Sequence, residues 1–308
     1  MINKYDYLPA KIFDRDQLTC DSQSNVNFVR KSLYMNNPYI IMSAPNGARR
    51  VQSDHPKIPI TPIEMAKCAE EILSEGASIL HLHVRDENNT HTIDPDRYRA
   101  SITAVKAAVG SDLIIQPTTE AVGIYNRYEQ MEMVKNLNPE AVSLALRELC
   151  PDEKSAVEFS QFMKWINQEN IFPQIILYNE RDYLRFEDFR KRGVFENDEP
   201  FVLFVFGSYA ERTPETDIET KKLQELSIDT SIPWTVCGFA ENEKECVMHS
   251  AKNNGHIRVG FENNIWDDDN KLLKNNAEMV SFAANTAATV DRKIADAATV
   301  RNIFNLRD

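Results

Sequence analysis

The strongest constraint on the fold is an alternation that runs through most of the chain. Short apolar runs occur at Tyr39–Ala44, Ser78–His83, Leu113–Gln116, Ala141–Leu146, Gln174–Tyr178, Phe201–Phe206, Trp234–Cys237 and His256–Gly260. They are rich in β-branched and aromatic residues and mostly apolar on both parities, as strands buried on both faces must be. Helical patterns lie between them. Thr61-Pro62 opens one as N-cap and first turn, Met65, Cys68, Ala69 and Ile72 share a face, and Gly76 closes it. Pro95-Asp96 opens the next and Gly110 closes it. Further helices are predicted near Tyr125–Leu137, Asp152–Gln168, Asp182–Arg192, Asp217–Leu226, Asn242–Asn254 and Asn275–Asp291. Strands and helices in strict alternation predict an α/β fold, a (β/α)8 TIM barrel. The rival, a doubly wound open sheet, wants a glycine-rich first βα turn. The chain has nine glycines and no G-x-G.

Length agrees with this reading. The 308 residues suit one barrel of about 250 residues with additions at its ends. Residues 1–36 fall outside the pattern and read as an N-terminal arm, with a helix near Ser22–Met35, that caps the barrel or clasps a neighbouring subunit. Residues 37–308 form the single barrel, ending in a short helix over Ala295–Asn305. Acidic residues number 47 and basic residues 35, a net charge of −12, which argues against nucleic-acid or anionic-membrane partners. No run approaches the length of a membrane span, and the charged N-terminus has no apolar signal core. The five cysteines form no C-x-x-C pair. They read as buried thiols in a reducing, cytoplasmic compartment.

Barrel enzymes carry chemistry at the C-terminal ends of their strands. The second strand ends in His81-Leu82-His83-Val84-Arg85-Asp86, and period-2 alternation turns both imidazoles the same way. Elsewhere such a pair could simply be core histidines; at a strand end it reads as two arms of a metal site. The last strand offers Arg258, Gly260 and Glu262 on one parity. Glu262 can complete a set of two histidines and a carboxylate, an open catalytic zinc arrangement. Arg258 offers a fork for a carboxylate or an enolate oxygen, the alternative being a barrel salt bridge. The first strand runs into Ser43-Ala44-Pro45-Asn46-Gly47-Ala48-Arg49-Arg50, whose arginines read either as anion binders or as a solvated loop.

The remaining strand ends are polar. Gln116-Pro117-Thr118-Thr119-Glu120 supplies hydroxyls and an acid or base, the fourth strand Ser143 with Arg147-Glu148 beyond it, and the fifth and sixth Tyr178-Asn179-Glu180 and Phe206-Gly207-Ser208-Tyr209. His55, His91 and His249 have no partner at ligand spacing and read as structural or surface residues. Trp266-Asp267-Asp268-Asp269 reads as a solvated turn.

The stretches around Asn46, the His81-Leu82-His83 motif, Gln116-Pro117-Thr118-Thr119 and Arg258-Val259-Gly260-Phe261-Glu262-Asn263-Asn264 resemble the β-keto acid cleavage enzymes, over roughly residues 38–290. The resemblance implies a (β/α)8 barrel assembled as a homotetramer, with zinc held by His81, His83 and Glu262. It implies a reaction of a β-keto acid with acetyl-CoA that yields acetoacetate and a new acyl-CoA. It makes Arg258 the catalytic arginine and matches Thr118 and Ser143 to the family's hydroxyl positions around the substrate; Asn46, Thr119 and Asn263 are expected to bind substrate beside them.

Two departures from the family's type member matter. Asn263 stands where that enzyme has an aspartate base, and an amide accepts no proton at neutral pH. Glu120 and Asp86 are the candidates for the vacant role. Arg49 and Ile176 replace acids that face the type member's cationic substrate. The expected substrate is therefore neutral or anionic, with Arg49 or Arg50 receiving a second carboxylate where there is one. The competing functions are a metal-dependent aldolase or hydrolase without CoA, and a non-catalytic ligand-binding protein that retains the metal.

Overall fold

The computed structural model describes residues 38–306 apart from 198 and 210–213. The arm expected over residues 1–36 lies outside the described residues, as does Cys20. All eight expected strands are present: β1 Ile41–Ser43, β2 Ile79–Leu82, β3 Ile114–Pro117, β4 Ala141–Ala145, β5 Phe172–Leu177, β6 Phe201–Phe206, β7 Trp234–Gly238 and β8 His256–Val259. They form one parallel sheet in the order β3-β2-β1-β8-β7-β6-β5-β4. Every hydrogen-bonded neighbour is adjacent in the chain or joins first strand to last, as in a (β/α)8 barrel. The seam between β3 and β4 is crossed by a parallel bridge, Thr118 to Ser143, reinforced by the Thr119 hydroxyl on the Ser143 carbonyl at 3.2 Å.

The eight main helices are α1 Pro62–Ser74, α2 Pro95–Val109, α3 Arg127–Leu137, α4 Ala156–Gln168, α5 Glu180–Lys191, α6 Pro214–Asp229, α7 Asn242–Lys252 and α8 Asn276–Ala288. Their starts follow from their capping residues. Thr61 and Asn126 each form a capping box, with Glu64 and Glu129 reaching back to the N-cap amide. Asp94 caps α2, and Gly110 ends it at φ 61°. The buried faces of α1 and α4 carry Met65, Cys68, Ala69 and Ile72, and Phe159, Phe162, Met163 and Ile166. They pack on outward-facing strand residues such as Leu80, Leu82 and Val142 in one core cluster. No helix among the described residues is long and apolar enough to cross a membrane.

Two elements depart from the expected pattern. An antiparallel hairpin of Val84–Arg85 and His91–Thr92 follows β2. Its turn forms because the Asp86 carboxylate accepts the Asn88 and Thr90 amides while Asn89 takes a left-handed conformation, φ 61°. A short helix, Leu146–Leu149, follows β4 directly.

The barrel interior is layered by parity. Ile40, Met42, Ile79, Ile114, Ala141, Phe172 and Phe201 fill the bottom. The expected tail helix, observed at Ala297–Phe304, closes it from below, with Phe304 against the rings of Phe172 and Phe201 at 4.5 and 5.0 Å. The middle layer is polar and fully buried. Gln116 donates to Gln174, and Gln174 to the Thr235 hydroxyl at 3.3 Å. Above it Ala145, Ile176, Leu203, Val205, Cys237 and Phe239 make an apolar floor for the mouth.

Tight packing beside the last strand gives a direct test. A Cβ on Gly255 would fall inside the buried indole of Trp234. Because the ring cannot swing away, Gly255→Ala is expected to cost about 2 kcal/mol and to lower Tm by roughly 5 °C. Unchanged thermal unfolding would show that the contact yields.

Candidate active site

The C-terminal mouth gathers three ligand atoms. His81 Nε2 and His83 Nε2 lie 3.1 Å apart, and Glu262 Oε2 stands 3.6 Å from the first and 3.3 Å from the second. Ligands about 2.0–2.2 Å from a tetrahedral zinc stand about 3.3–3.5 Å from one another, so the three atoms fit one such ion. Glu262 Oε2 is buried and has no hydrogen-bond partner. These residues are the candidate metal cluster among the described residues.

Protonation suits that role. Burial first, and then Arg258, pushes His81 down to about 4; burial pushes His83 down to about 3. Both imidazoles are therefore neutral at physiological pH and carry a free lone pair. The Gln116 carbonyl oxygen accepts a hydrogen bond from His81 Nδ1–H at 2.9 Å, which leaves the Nε2 lone pair facing the cluster. The polar middle layer thus continues as a chain of His81, Gln116, Gln174 and Thr235 across the barrel. Burial raises Glu262, but Arg258 and the two histidines outweigh it and hold the carboxylate well below its ordinary range. Its Oε1 accepts from Arg258 at 3.0 Å.

The loop carrying Glu262 is clamped from three sides. Buried Glu243 on α7 accepts the Gly260 amide at 2.9 Å. Buried Asn276 on α8 accepts the Phe261 amide at 2.8 Å and donates to Pro45 O. Arg50 donates to Phe261 O and Asn263 O. Gly260 adopts φ 133°, and a Cβ there would meet the Ala44 carbonyl. Gly47, at φ 61°, gives way to Glu262 itself, whose Cγ would lie 2.5 Å from a Cβ.

The cluster opens on a cavity of about 260 Å3, lined by His81, Thr118, Glu120, Arg258 and Glu262, by Arg49 and Arg147 on the rim, and by floor residues Ile176, Val205 and Phe239. Burial, then Glu262 and Glu148, raises Glu120 to about 7, and its Oε2 stands 3.8 Å from His83 Nδ1. The Thr118 hydroxyl accepts the Glu120 amide, and the buried Ser143 hydroxyl has no partner. Asn263 is fully buried beside the ligand loop.

Other expected residues sit differently. Asp86 caps the hairpin turn and does not line the cavity. Arg85 donates to the carbonyls of Gly47, Arg50 and Asn89 and so pins the first loop. Asn46 donates to Pro59 O and His83 O, tying β1 to the end of β2. The Thr119 hydroxyl is spent on the seam. Sequence reading missed Gln116 as the orienter of His81, although a glutamine on the inward parity of an apolar strand was the available signal. It also missed Glu243 and Asn276, which lie on helices. His91, read as structural, lies with its ring 5.3 Å from His83 and bonds Glu120 O at 2.9 Å. His55 is satisfied by Leu273 O and the Lys57 amide, in keeping with a structural role.

Comparison with known proteins agrees with the motifs. The model of a family described as beta-keto acid cleavage enzyme matches residues 38–306. The chain is 30% identical over 279 residues to the 3-keto-5-aminohexanoate cleavage enzyme of Fusobacterium nucleatum, covering 87% of this chain and 98% of that one. It is 25% identical to the 3-oxoadipate:acetyl-CoA acetyltransferase of Cupriavidus necator, covering 88% and 96%. Among solved structures, a ternary complex of ObcA with a C4-CoA adduct and oxalate superposes with a TM-score of 0.61 at 17% identity, over 82% of this chain and 68% of that one. That likeness concerns the fold.

The clamp on the ligand loop has a pH signature. Burial raises Glu243 from 4.5 to about 8. Between those values the unfolded chain has lost this proton and the folded chain keeps it, so stability falls as pH rises. Wild type is expected to lose Tm more steeply than Glu243→Gln between pH 5 and 8. Parallel Tm curves would place the carboxyl in an ordinary environment.

Proposed function

Since this chain belongs to the β-keto acid cleavage enzyme family, we propose that it is a zinc-dependent β-keto acid:acetyl-CoA transferase. The reaction converts R–CO–CH2–COO⁻ and acetyl-CoA into R–CO–S–CoA and acetoacetate. One observation carries the reading: three side-chain atoms of His81, His83 and Glu262 lie 3.1–3.6 Å apart, and His81 and Glu262 line the same cavity as Arg258 and Glu120. Relatives named for acetyl-CoA transfer support the co-substrate.

His81, His83 and Glu262 would hold the ion. When bound, a divalent cation supplies Lewis-acid stabilisation of negative charge on a keto oxygen. Glu120, a carboxylate lining the cavity, is the one we assign as the base for the carbon between ketone and carboxylate. Asn263 can orient a substrate by hydrogen bonding but cannot take that proton. Arg258 has a buried Nε without a partner, a free donor for the substrate carboxylate. Ser143 has an unspent hydroxyl, and Thr118, which accepts from the Glu120 amide, keeps its O–H to donate. Ile176, Val205 and Phe239 keep the floor dry, which protects a thioester from hydrolysis. Ile176 on the floor and Arg49 on the rim disfavour a cationic side chain and suit a neutral or anionic one.

The test is acetoacetate release from a panel of β-keto acids, with metal content measured on the same samples. Turnover is expected only with acetyl-CoA present; turnover without it would indicate an aldolase or hydrolase. His81→Ala and Glu262→Gln are expected to lose both zinc and activity. Glu120→Gln should keep zinc and lose at least about 100-fold in kcat. Full zinc in both ligand variants would overturn the metal assignment.

A further inference from the structure

Charged groups around the cavity divide into spent and unspent ones. Arg258 is paired with Glu262, and Glu120 stands against His83. Glu148 accepts the Ala121 amide at 3.0 Å. Arg49 and Arg147 make no hydrogen bond or ion pair among the described residues. Each instead lies over an aromatic ring. Arg147 is 3.6 Å from the Tyr178 centroid, whereas Arg49 is 5.4 Å from that of Tyr209. Stacking at the shorter distance fixes a guanidinium by its face and leaves its in-plane N–H groups free for a carboxylate.

The surroundings distinguish the two arginines further. Ile176, Val205 and Phe239 line the cavity beside the cluster. An adjacent recess of about 160 Å3 shares Arg147, Tyr178, Val205, Gly207 and Ser208 with the cavity, and Leu223 and exposed Glu219 also line it. An apolar path therefore leads from the metal ligands to a stacked, unpaired cation. Arg49 lines the same cavity but also borders a wider cleft beside the hairpin, and its ring contact is the longer one.

We propose that Arg147, stacked on Tyr178, binds the distal carboxylate of the substrate, so that the substrate class is a β-keto dicarboxylic acid. This rests on the β-keto acid reading above and deepens it. The alkyl chain lies on Ile176 and Val205, and the far carboxylate meets the edge of the Arg147 guanidinium. The role expected from sequence for Arg49 or Arg50 passes to a residue on the opposite wall. Arg50 is unavailable because it is committed to the carbonyls of Phe261 and Asn263.

The experiment compares kcat/KM for matched pairs of five- to seven-carbon substrates, such as 3-oxohexanedioate and 3-oxohexanoate, both with acetyl-CoA. Wild type is expected to prefer the diacid. Arg147→Gln should lower kcat/KM for the diacid about 10- to 100-fold, mainly through KM, and leave the neutral acid within about two-fold. Arg147→Lys should recover part of the loss. Zinc content and turnover of the neutral acid report that the variants are folded. Equal losses on both substrates, no diacid preference in wild type, or a selective loss in Arg49→Gln instead would overturn the proposal. Failure of every β-keto acid in wild type would overturn the underlying reaction instead.

Discussion

The site depends on how one buried carboxylate is satisfied. Glu262 presents Oε1 to Arg258 and Oε2 to the two histidines. Removing a charge from water is costly unless it is paired and hydrogen-bonded, and a carboxylate between an arginine and two neutral imidazoles is only half provided for. The unpartnered Oε2 and two lone pairs aimed at one point make a site whose electrostatics are completed by a cation. The same carboxylate explains why its loop is held so firmly. Glu243, Asn276 and Arg50 take up backbone groups on either side of it, and two glycines remove the side chains that would displace it.

The interior polar chain serves the same end from below. A barrel floor is usually filled with branched apolar side chains. Here Gln116, Gln174 and Thr235 occupy the middle layer, and each is bonded. The chain ends on His81, so the tautomer of this candidate ligand is set by Gln116, on a strand four away from that of Thr235. Buried polar networks specify a single arrangement only when every member is satisfied, and this one hands its last acceptor to the histidine.

The fold was legible because its signal is periodic and local. Eight apolar runs, starts such as Thr61-Pro62 and Pro95-Asp96, and stops such as Gly110 are all written within a few residues of where they act. The candidate cluster was legible for the same reason: His81 and His83 share a strand face, and Glu262 shares one with Arg258. The hairpin after β2 was not, because two-residue strands carry too little pattern; its signal was the Asp86–Asn89 turn. The clamp residues Glu243 and Asn276 were not legible either. Their work is done on backbone amides 17 and 15 residues away in sequence, and only the closed barrel brings those amides within reach.

Arginine shows the limit most clearly. Arg49, Arg50, Arg85, Arg147 and Arg258 all lie near strand ends, and the sequence favours Arg49, Arg50 and Arg258 for anion binding. In the folded chain Arg85 and Arg50 are committed to main-chain carbonyls and Arg258 is tied to Glu262 through one nitrogen, whereas Arg49 and Arg147 make no hydrogen bond or ion pair among the described residues. The net charge of −12 does not oppose an anion at those two, because surface charges more than about 10 Å away are screened by salt. For a second anion, away from Glu262, what decides is therefore which guanidinium has no internal acceptor and an aromatic face to hold it. That property belongs to the packed structure, and it separates Arg147, 3.6 Å above Tyr178, from its neighbours in the mouth.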